Sequence, residues 1–386
     1  LRADHLGCYG YQRDTSPSID AFAKKNIVFE NAVVQSPWTL PSHVSIMTSL
    51  YPISHGVYRD SPMLAEGNVT LAELLQEAGY QTAAFTDGGW MGKEFGLQQG
   101  FDLFDDQGGG FAKIIPKVKG WLKKNGSKPF FLFIHSYDIH SPYNPPLPYN
   151  SFFHKFSYTG HLVPSNNNLL LANRNKLVIS DADLQHFIAL YDGGIRYTDE
   201  KINDFLSYLR DSNLKDQSLI IITSDHGEGF GEHGLYGHGN SLYRELLHVP
   251  LHIRYPPLIQ AGNVINQPVS LADLAETISQ SSGLSTNPEF PGSNLLEQPI
   301  SNKTLLAEIF HRPQYPTSHP ISKGAITSFT TQKWQAIFAS ESEELYAFND
   351  KYDQIDFGST EEGLQTLSEF KDKLKQVKLN STASSQ

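Results

Sequence analysis

Five short apolar runs, each breaking off into a polar cluster, constrain the fold of this chain more than any other feature. They are YQTAAFTDGG (80–89), PFFLFIHSYDIH (129–140), SLIIITSDHGE (218–228), VPLHIRYP (249–256) and KTLLAEIF (303–310). Their length and β-branched or aromatic content read as buried strands. Helical patterns lie between them. TLAELLQEAG (70–79) carries a Thr cap, an early acid and a closing Gly, and DEKINDFLSYLRDSN (199–213) repeats apolar residues at helical spacing. Strand alternating with helix implies an α/β fold, a mostly parallel central sheet sandwiched by helices. Ligands of such sheets bind outside the carboxyl ends of the strands. The clusters IHSYDIH and SDHGE fall at that edge.

The last part reads differently. AITSFTTQKWQAIFASESEELYAFND (325–350) predicts antiparallel strands, EEGLQTLSEFKDKLKQVKL (361–379) an amphipathic helix, and NSTASSQ a frayed tail. The expected division is a main domain over 1–320 and a small subdomain over 321–386. Stretches 107–128 and 150–185 read as loops that shape a pocket.

With 30 Lys and Arg against 41 Asp and Glu, the net charge of −11 argues against a nucleic-acid or anionic-membrane binder. An anionic small substrate stays compatible, because a metal can supply local positive charge. The single cysteine, Cys8, allows no internal disulfide, and no run is long enough to span a membrane. The sequence opens at Leu1 without Met or a signal segment, which reads as a chain cut upstream. Cytoplasmic and periplasmic locations both fit.

Chemistry concentrates in three segments. SDHGEGFGEHGLYGHGNSLY (224–243) packs Asp225, His226, Glu228, Glu232, His233 and His238 into a Gly-rich loop after a strand. Asp beside His suits a divalent cation, one hard oxygen and one imidazole nitrogen. A polar loop with capping histidines is the alternative, but three His and three acids favour metal or catalysis. HSYDIHSPYNPP (135–146) brings His135 and His140, suited to protonating a leaving group, stabilising an oxyanion or simply satisfying a loop. WTLPSHVSIMTSLYP (38–52) places Thr39 and His43 at the start of a helix, where free N–H groups and the dipole favour anions. Thr39 there is either a plain cap or a nucleophile activated by metal or base.

Together these segments resemble the sulfatase family of the alkaline-phosphatase superfamily, over nearly the whole chain. LRADHLGCYGYQRDTSPSIDAFA resembles the family's opening segment. WTLPSHVSIMTSLYPISHGV resembles its nucleophile segment, and HSYDIHSPYNPP its substrate-histidine loop. YDGGIRYTDEKINDFLSYLRDSNLKDQSLIIITSDHGE resembles the helix and strand that lead to a metal segment. The resemblance puts Thr39 at the nucleophile position, usually Cys or Ser, and Asp225 and His226 at metal-ligand positions. His140 matches the substrate-side histidine, His238 stands where many members have Lys, and His43 where Arg is usual. His135 and His233 are further candidates for contacting substrate. A metal-binding Asp of the family would lie two residues before Leu1; Asp4 is the nearest acid present. The family's GKWHLG segment is echoed only by MGKEFG (91–96), where Lys93 reads as a surface residue.

The resemblance implies one divalent metal ion, Mn²⁺ or Zn²⁺ favoured by the imidazole and Ca²⁺ possible, with Thr39, Asp225 and His226 as ligands. Sulfatases convert Cys or Ser to formylglycine, whose second hydroxyl expels sulfate. Threonine offers one hydroxyl. A phosphorylated threonine can still be released by attack at phosphorus. The expected activity is therefore cleavage of a phosphoester, phosphodiester or phosphonate ester through Thr39. A sulfuric ester hydrolase without formylglycine is the close alternative, and a non-catalytic binding protein on the same scaffold the third. The expected substrate is a small-molecule or glycan- or lipid-linked anionic ester.

Overall fold

The computed structural model describes residues 1–154, 158–256, 262–297, 303–317, 319–350 and 353–383. Ile27–Val33 forms the spine of the larger body sheet. It pairs in parallel with Val269–Ser270 and Val264–Ile265, and antiparallel with His248–Arg254, which in turn pairs antiparallel with Ile220–Thr223. Beside it Leu103–Asp105, Gln81–Phe85 and Phe130–Ile134 make an all-parallel sheet. The body is thus mostly parallel, as expected, with His248–Arg254 as the reversed strand.

Helices cover these sheets. Ile114, Val118 and Leu122 of the Gly110–Asn125 helix and Leu209 of the Asp181–Asp211 helix close over Phe130, Leu132, Ile134 and Ile220. The stretch 107–128, read above as a loop, is therefore largely helical. Its apolar residues recur every fourth position, a stripe that Gly108–Gly110 and Pro116 disguise in sequence. The expected 199–213 helix begins much earlier, at Asp181, under a capping box between Ser180 and Asp183. Part of 150–185 is helical as well, at Asn166–Asn173.

Gly193 and Gly194 interrupt the sequence pattern but not that long helix. A Cβ on Gly193 would fall 2.2 Å from the Tyr149 carbonyl oxygen, and one on Gly194 3.3 Å from that of Asp138. The missing side chains let the loop that carries His140 lie directly on helix backbone.

The C-terminal sheet runs Leu305–Ile309, Ile326–Thr330, Trp334–Phe338, Glu343–Ala347, all antiparallel. Leu305–Ile309, read with the body strands, belongs here. All five of its residues are buried, so period-2 alternation could not assign it. Leu367 and Phe370 of the Glu361–Ala383 helix pack on Leu306, Phe329, Phe338 and Leu345. The tail's first residues extend this helix, and 384–386 lie outside the described residues.

The opening segment has no strand. It turns through short 3-10 helices at Ala3–His5 and Gly7–Tyr9 and is pinned to the long helix by two buried acids. Asp192 accepts from His5 Nδ1, Tyr11 Oη and Arg13 Nη1, each at 2.7 Å. Asp199 accepts from the amides of Ser18 and Ile19 at the start of the Pro17–Ala23 helix, the closest contact being 2.8 Å. Asp199→Ala leaves two helix-end amides without their acceptor and should cost about 1–3 kcal/mol. Urea unfolding of the variant beside the parent chain measures it.

Candidate active site

Trp38, extended at φ −156° and ψ 160°, is the residue before the Thr39–Thr48 helix, and Thr39 is its first helical residue. Thr39 is therefore not the cap. Its hydroxyl is buried and stands 3.4 Å from His226 Nε2. The loop after Ile220–Thr223 is tied to this helix by Ser42, whose hydroxyl donates to the Asp225 carbonyl at 2.6 Å. Leu1 lies on the same loop, its amino nitrogen 2.6 Å from Ser224 Oγ and 2.8 Å from the His226 carbonyl.

Asp225 is the centre of the cluster. Its Oδ2 is 3.4 Å from His226 Nε2 and 3.6 Å from His43 Nδ1. His43, His135 and Asp225 each offer a ligand atom, all within 4.8 Å of one another. Burial pushes the Asp225 carboxyl upward, but the facing imidazoles of His226, His43 and His135 outweigh it and hold the group well below the usual range. Burial depresses His226 and His135 to about 3, so both rings are neutral donors at neutral pH. The Nδ1–H of His226 donates to the Gly227 carbonyl at 2.8 Å, which leaves Nε2 facing Thr39. That tautomer assignment follows from the carbonyl partner. His43 Nδ1 donates to the Thr39 carbonyl at 2.8 Å.

A second group of rings lies against the first. His238 stacks obliquely on His226 with ring centroids 4.2 Å apart and meets His140 at 4.9 Å. Glu228 Oε1 accepts from His238 Nδ1 at 3.0 Å, and Glu228 is held down to about 2, the neighbouring His238 outweighing the effect of burial. Burial, then the His238 charge, lowers the His140 pKa; its Nδ1–H donates to the Ser141 carbonyl at 2.5 Å.

Seven of the eight residues singled out from sequence thus lie in one connected cluster: Thr39, His43, His135, His140, Asp225, His226 and His238. His233 does not join it. Its Nδ1 binds Glu245 at 2.9 Å, its Nε2 donates to the Asp353 carbonyl at 3.2 Å, and its ring stacks on Tyr243 at 3.6 Å. Both ring nitrogens are spent on structure. Asp4, the nearest acid to the upstream ligand position, is ion-paired to Arg2 at 2.8 Å. Sequence reasoning missed Glu228 as the partner of His238. It also missed Tyr137, whose ring stands edge-on to His135 at 4.6 Å and His140 at 5.2 Å. Tyr137 was visible as the aromatic between the two histidines of HSYDIH.

The layered body with an imidazole–carboxylate cluster at its strand ends defines an alkaline-phosphatase-like fold. This chain belongs to the sulfatase family: the family model for Sulfatase matches residues 1–284. An ulvan-active sulfatase of Formosa agariphila is 25% identical over 77% of this chain and 62% of its own length. An N-acetylglucosamine-6-O-sulfatase of Bacteroides thetaiotaomicron is 24% identical over 82% of the chain and 73% of the relative. The chain therefore spans less than two thirds of the first of these relatives. Among solved structures, the phosphonate monoester hydrolase SpPMH from Silicibacter pomeroyi superposes with TM-score 0.82 at 18% identity, covering 99% of this chain and 94% of that one. BT4656 in complex with D-glucosamine-2-N,6-O-disulfate gives TM-score 0.82 at 20% identity, over 99% and 96%. No helix among the described residues is long and apolar enough to cross a membrane.

His233 carries a test of its own. Burial opposes its charge, but the hydrogen bond and charge of Glu245 win and lift it from 6.5 to about 9. A raised folded-state pKa stabilises below the unfolded value and loses that contribution as pH rises through the folded one. Burial also lifts Asp353 to about 7, with loss in the same direction. Stability should fall between pH 6.5 and 9, and His233→Gln should flatten that slope, read from urea midpoints across the range.

Proposed function

We propose that this chain cleaves a phosphoric or phosphonic ester, with Thr39 as the nucleophile. The observation that carries the reading is the Thr39 hydroxyl, 3.4 Å from His226 Nε2 rather than spent on capping its own helix. Position 39 is a threonine, so the two-hydroxyl chemistry of formylglycine has no precursor there, whereas a threonyl phosphoester is cleavable at phosphorus.

The donor set fits a divalent metal. His135 Nδ1 is buried and has no hydrogen-bond partner, and the ionised Asp225 faces neutral imidazoles. Asp225 and His226 would hold the ion, with Thr39 Oγ, and with His43 and His135 within reach of the same carboxylate. One carboxylate with several imidazoles favours Mn²⁺ or Zn²⁺ over Ca²⁺. Such an ion supplies Lewis-acid stabilisation to the hydroxyl and to the developing oxyanion. His226 is fixed in orientation by the Gly227 carbonyl, as ligating histidines commonly are.

The rest is done by the chain. Thr39 Oγ, its hydroxyl proton released to solvent, attacks phosphorus in line as the bond to the alcohol breaks. The first amides of the Thr39–Thr48 helix face the anion and favour its negative oxygens. The alcohol takes its proton from the Nε2–H of His238 when that ring carries both protons, its Nδ1–H being held by Glu228. His140 alone is a weak candidate, since burial disfavours its charged form; ionised Glu228 holds Nδ1 of His238 beside it. Water then attacks phosphorus and frees Thr39.

The sulfatase names of the relatives favour a second reading, hydrolysis of a sulfuric ester on the same residues. One comparison separates them: aryl phosphonate, phosphodiester, phosphomonoester and sulfate esters, each with Mn²⁺, Zn²⁺ and Ca²⁺. Phosphonate or phosphodiester turnover should lead. Thr39→Ala should lower kcat at least about a thousandfold, and a phosphoryl or phosphonyl adduct on the Thr39 peptide should vanish from the mass spectrum. Full turnover by Thr39→Ala on every active ester excludes Thr39 as nucleophile.

A further inference from the structure

Beside the proposed nucleophile lies a cation that the chemistry above does not use. Arg312 follows the Leu305–Ile309 strand and is only 8% exposed. Its guanidinium carbon stands 5.2 Å above the ring of Trp38, the residue before Thr39. Gly239, the residue after His238, also lies against it, since a Cβ there would be 3.1 Å from Arg312 Nη1 and 3.4 Å from Trp38 Cβ. The guanidinium thus lies against the immediate neighbours of two site residues.

Among the buried arginines, Arg312 and Arg244 have no ion pair within the described residues. Arg2 is paired with Asp4 and Glu232, Arg254 with Asp216, and Arg244 has Asp353 as its chief favourable charge. Arg312 has no carboxylate within ion-pair distance among the described residues. Burial disfavours its charge, the Tyr315 phenol offsets this in part, Arg59 opposes it, and Asp60 helps least. The Trp38 face contributes a cation–π attraction. A desolvated guanidinium without an acid is costly to keep and is left ready for a planar or tetrahedral oxyanion, which it can grip with two parallel N–H donors. Its backbone is fixed, with Arg312 N donating to the Ile321 carbonyl at 2.9 Å and its own carbonyl accepting from Tyr315 N at 3.1 Å. An aromatic wall continues outward: Trp90, 37% exposed, stands edge-on to Trp38 at 5.3 Å.

We propose that Arg312 binds a second oxyanion, a carboxylate or sulfonate-type group carried on the alcohol part of the substrate, so that the preferred ester is one of an acidic alcohol. The proposal rests on the reading of Thr39 and its neighbours as the site of ester cleavage.

Binding can be read without turnover. The probes are 3- and 4-hydroxybenzoate, 4-hydroxybenzenesulfonate and the neutral 4-hydroxybenzamide, titrated against tryptophan fluorescence from Trp38 and Trp90. The parent chain should bind at least one anionic probe tenfold or more tighter than the amide. Arg312→Gln should erase that preference, and Arg312→Lys should keep part of it. The benzoate and sulfonate arms tell which oxyanion is favoured. Equal binding of all probes by the parent chain, or a preference that survives Arg312→Gln, overturns the proposal. If Arg312→Gln does not fold, an undiminished preference in Arg312→Lys overturns it and a reduced one supports it, because Lys lacks the two-pronged geometry. An anion preference that depends on Arg312, in a chain that hydrolyses none of the esters, supports this assignment and counts against ester cleavage alone.

Discussion

A nearly buried carboxylate in a ring of imidazoles is the constraint on which this molecule turns. Taking Asp225 out of water is unfavourable unless positive charge or strong donors surround it. His43, His135 and His226 face it from three different parts of the sequence, a donor set that a bound cation would complete. The Phe130–Ile134 and Ile220–Thr223 strands, the Thr39–Thr48 helix and the opening segment must all meet for that cluster to exist. Arrangements that fail to bring them together leave the acid exposed to its full desolvation cost.

The scaffold distributes this work unevenly. Hydrophobic packing decides that the sheets are covered, through clusters built on the Ile27–Val33 and His248–Arg254 strands. Polar contacts decide where the edges lie. Ser42 fixes the Thr39–Thr48 helix to the Asp225 loop, and Asp192 and Asp199 fix the opening segment to the long helix. Each is a buried group with its partners in place, so each adds geometric definition at modest energetic gain.

Much of this was legible in sequence, and the limits have physical causes. Asp225, His226 and His238 were found because a dense polar loop directly after an apolar strand has few structural uses. Thr39 was found because the helix it opens is marked by Pro41. His233 came from the same loop and looked equivalent, yet its ring is held by Glu245, twelve residues away, and by Asp353, far along the chain. Local pattern cannot announce such a partner. The helix at Gly110–Asn125 was hidden by its glycine-rich entry, and the strand at Leu305–Ile309 was assigned to the wrong layer because both of its faces are buried. Arg312 went unremarked for the opposite reason: what marks it is its place beside Trp38 and Gly239 without an ion pair among the described residues, which only three dimensions can show.

The two glycines in the long helix have a consequence for how such a pocket can change over time. The loop bearing His140 sits on bare peptide there, with the Tyr149 carbonyl against position 193, which admits no larger residue, and the Asp138 carbonyl more loosely against 194. That flank is frozen: any side chain gained at 193 displaces the loop and its histidine. Novelty in what the site accepts has more room to arise from residues such as Trp90, which is 37% exposed.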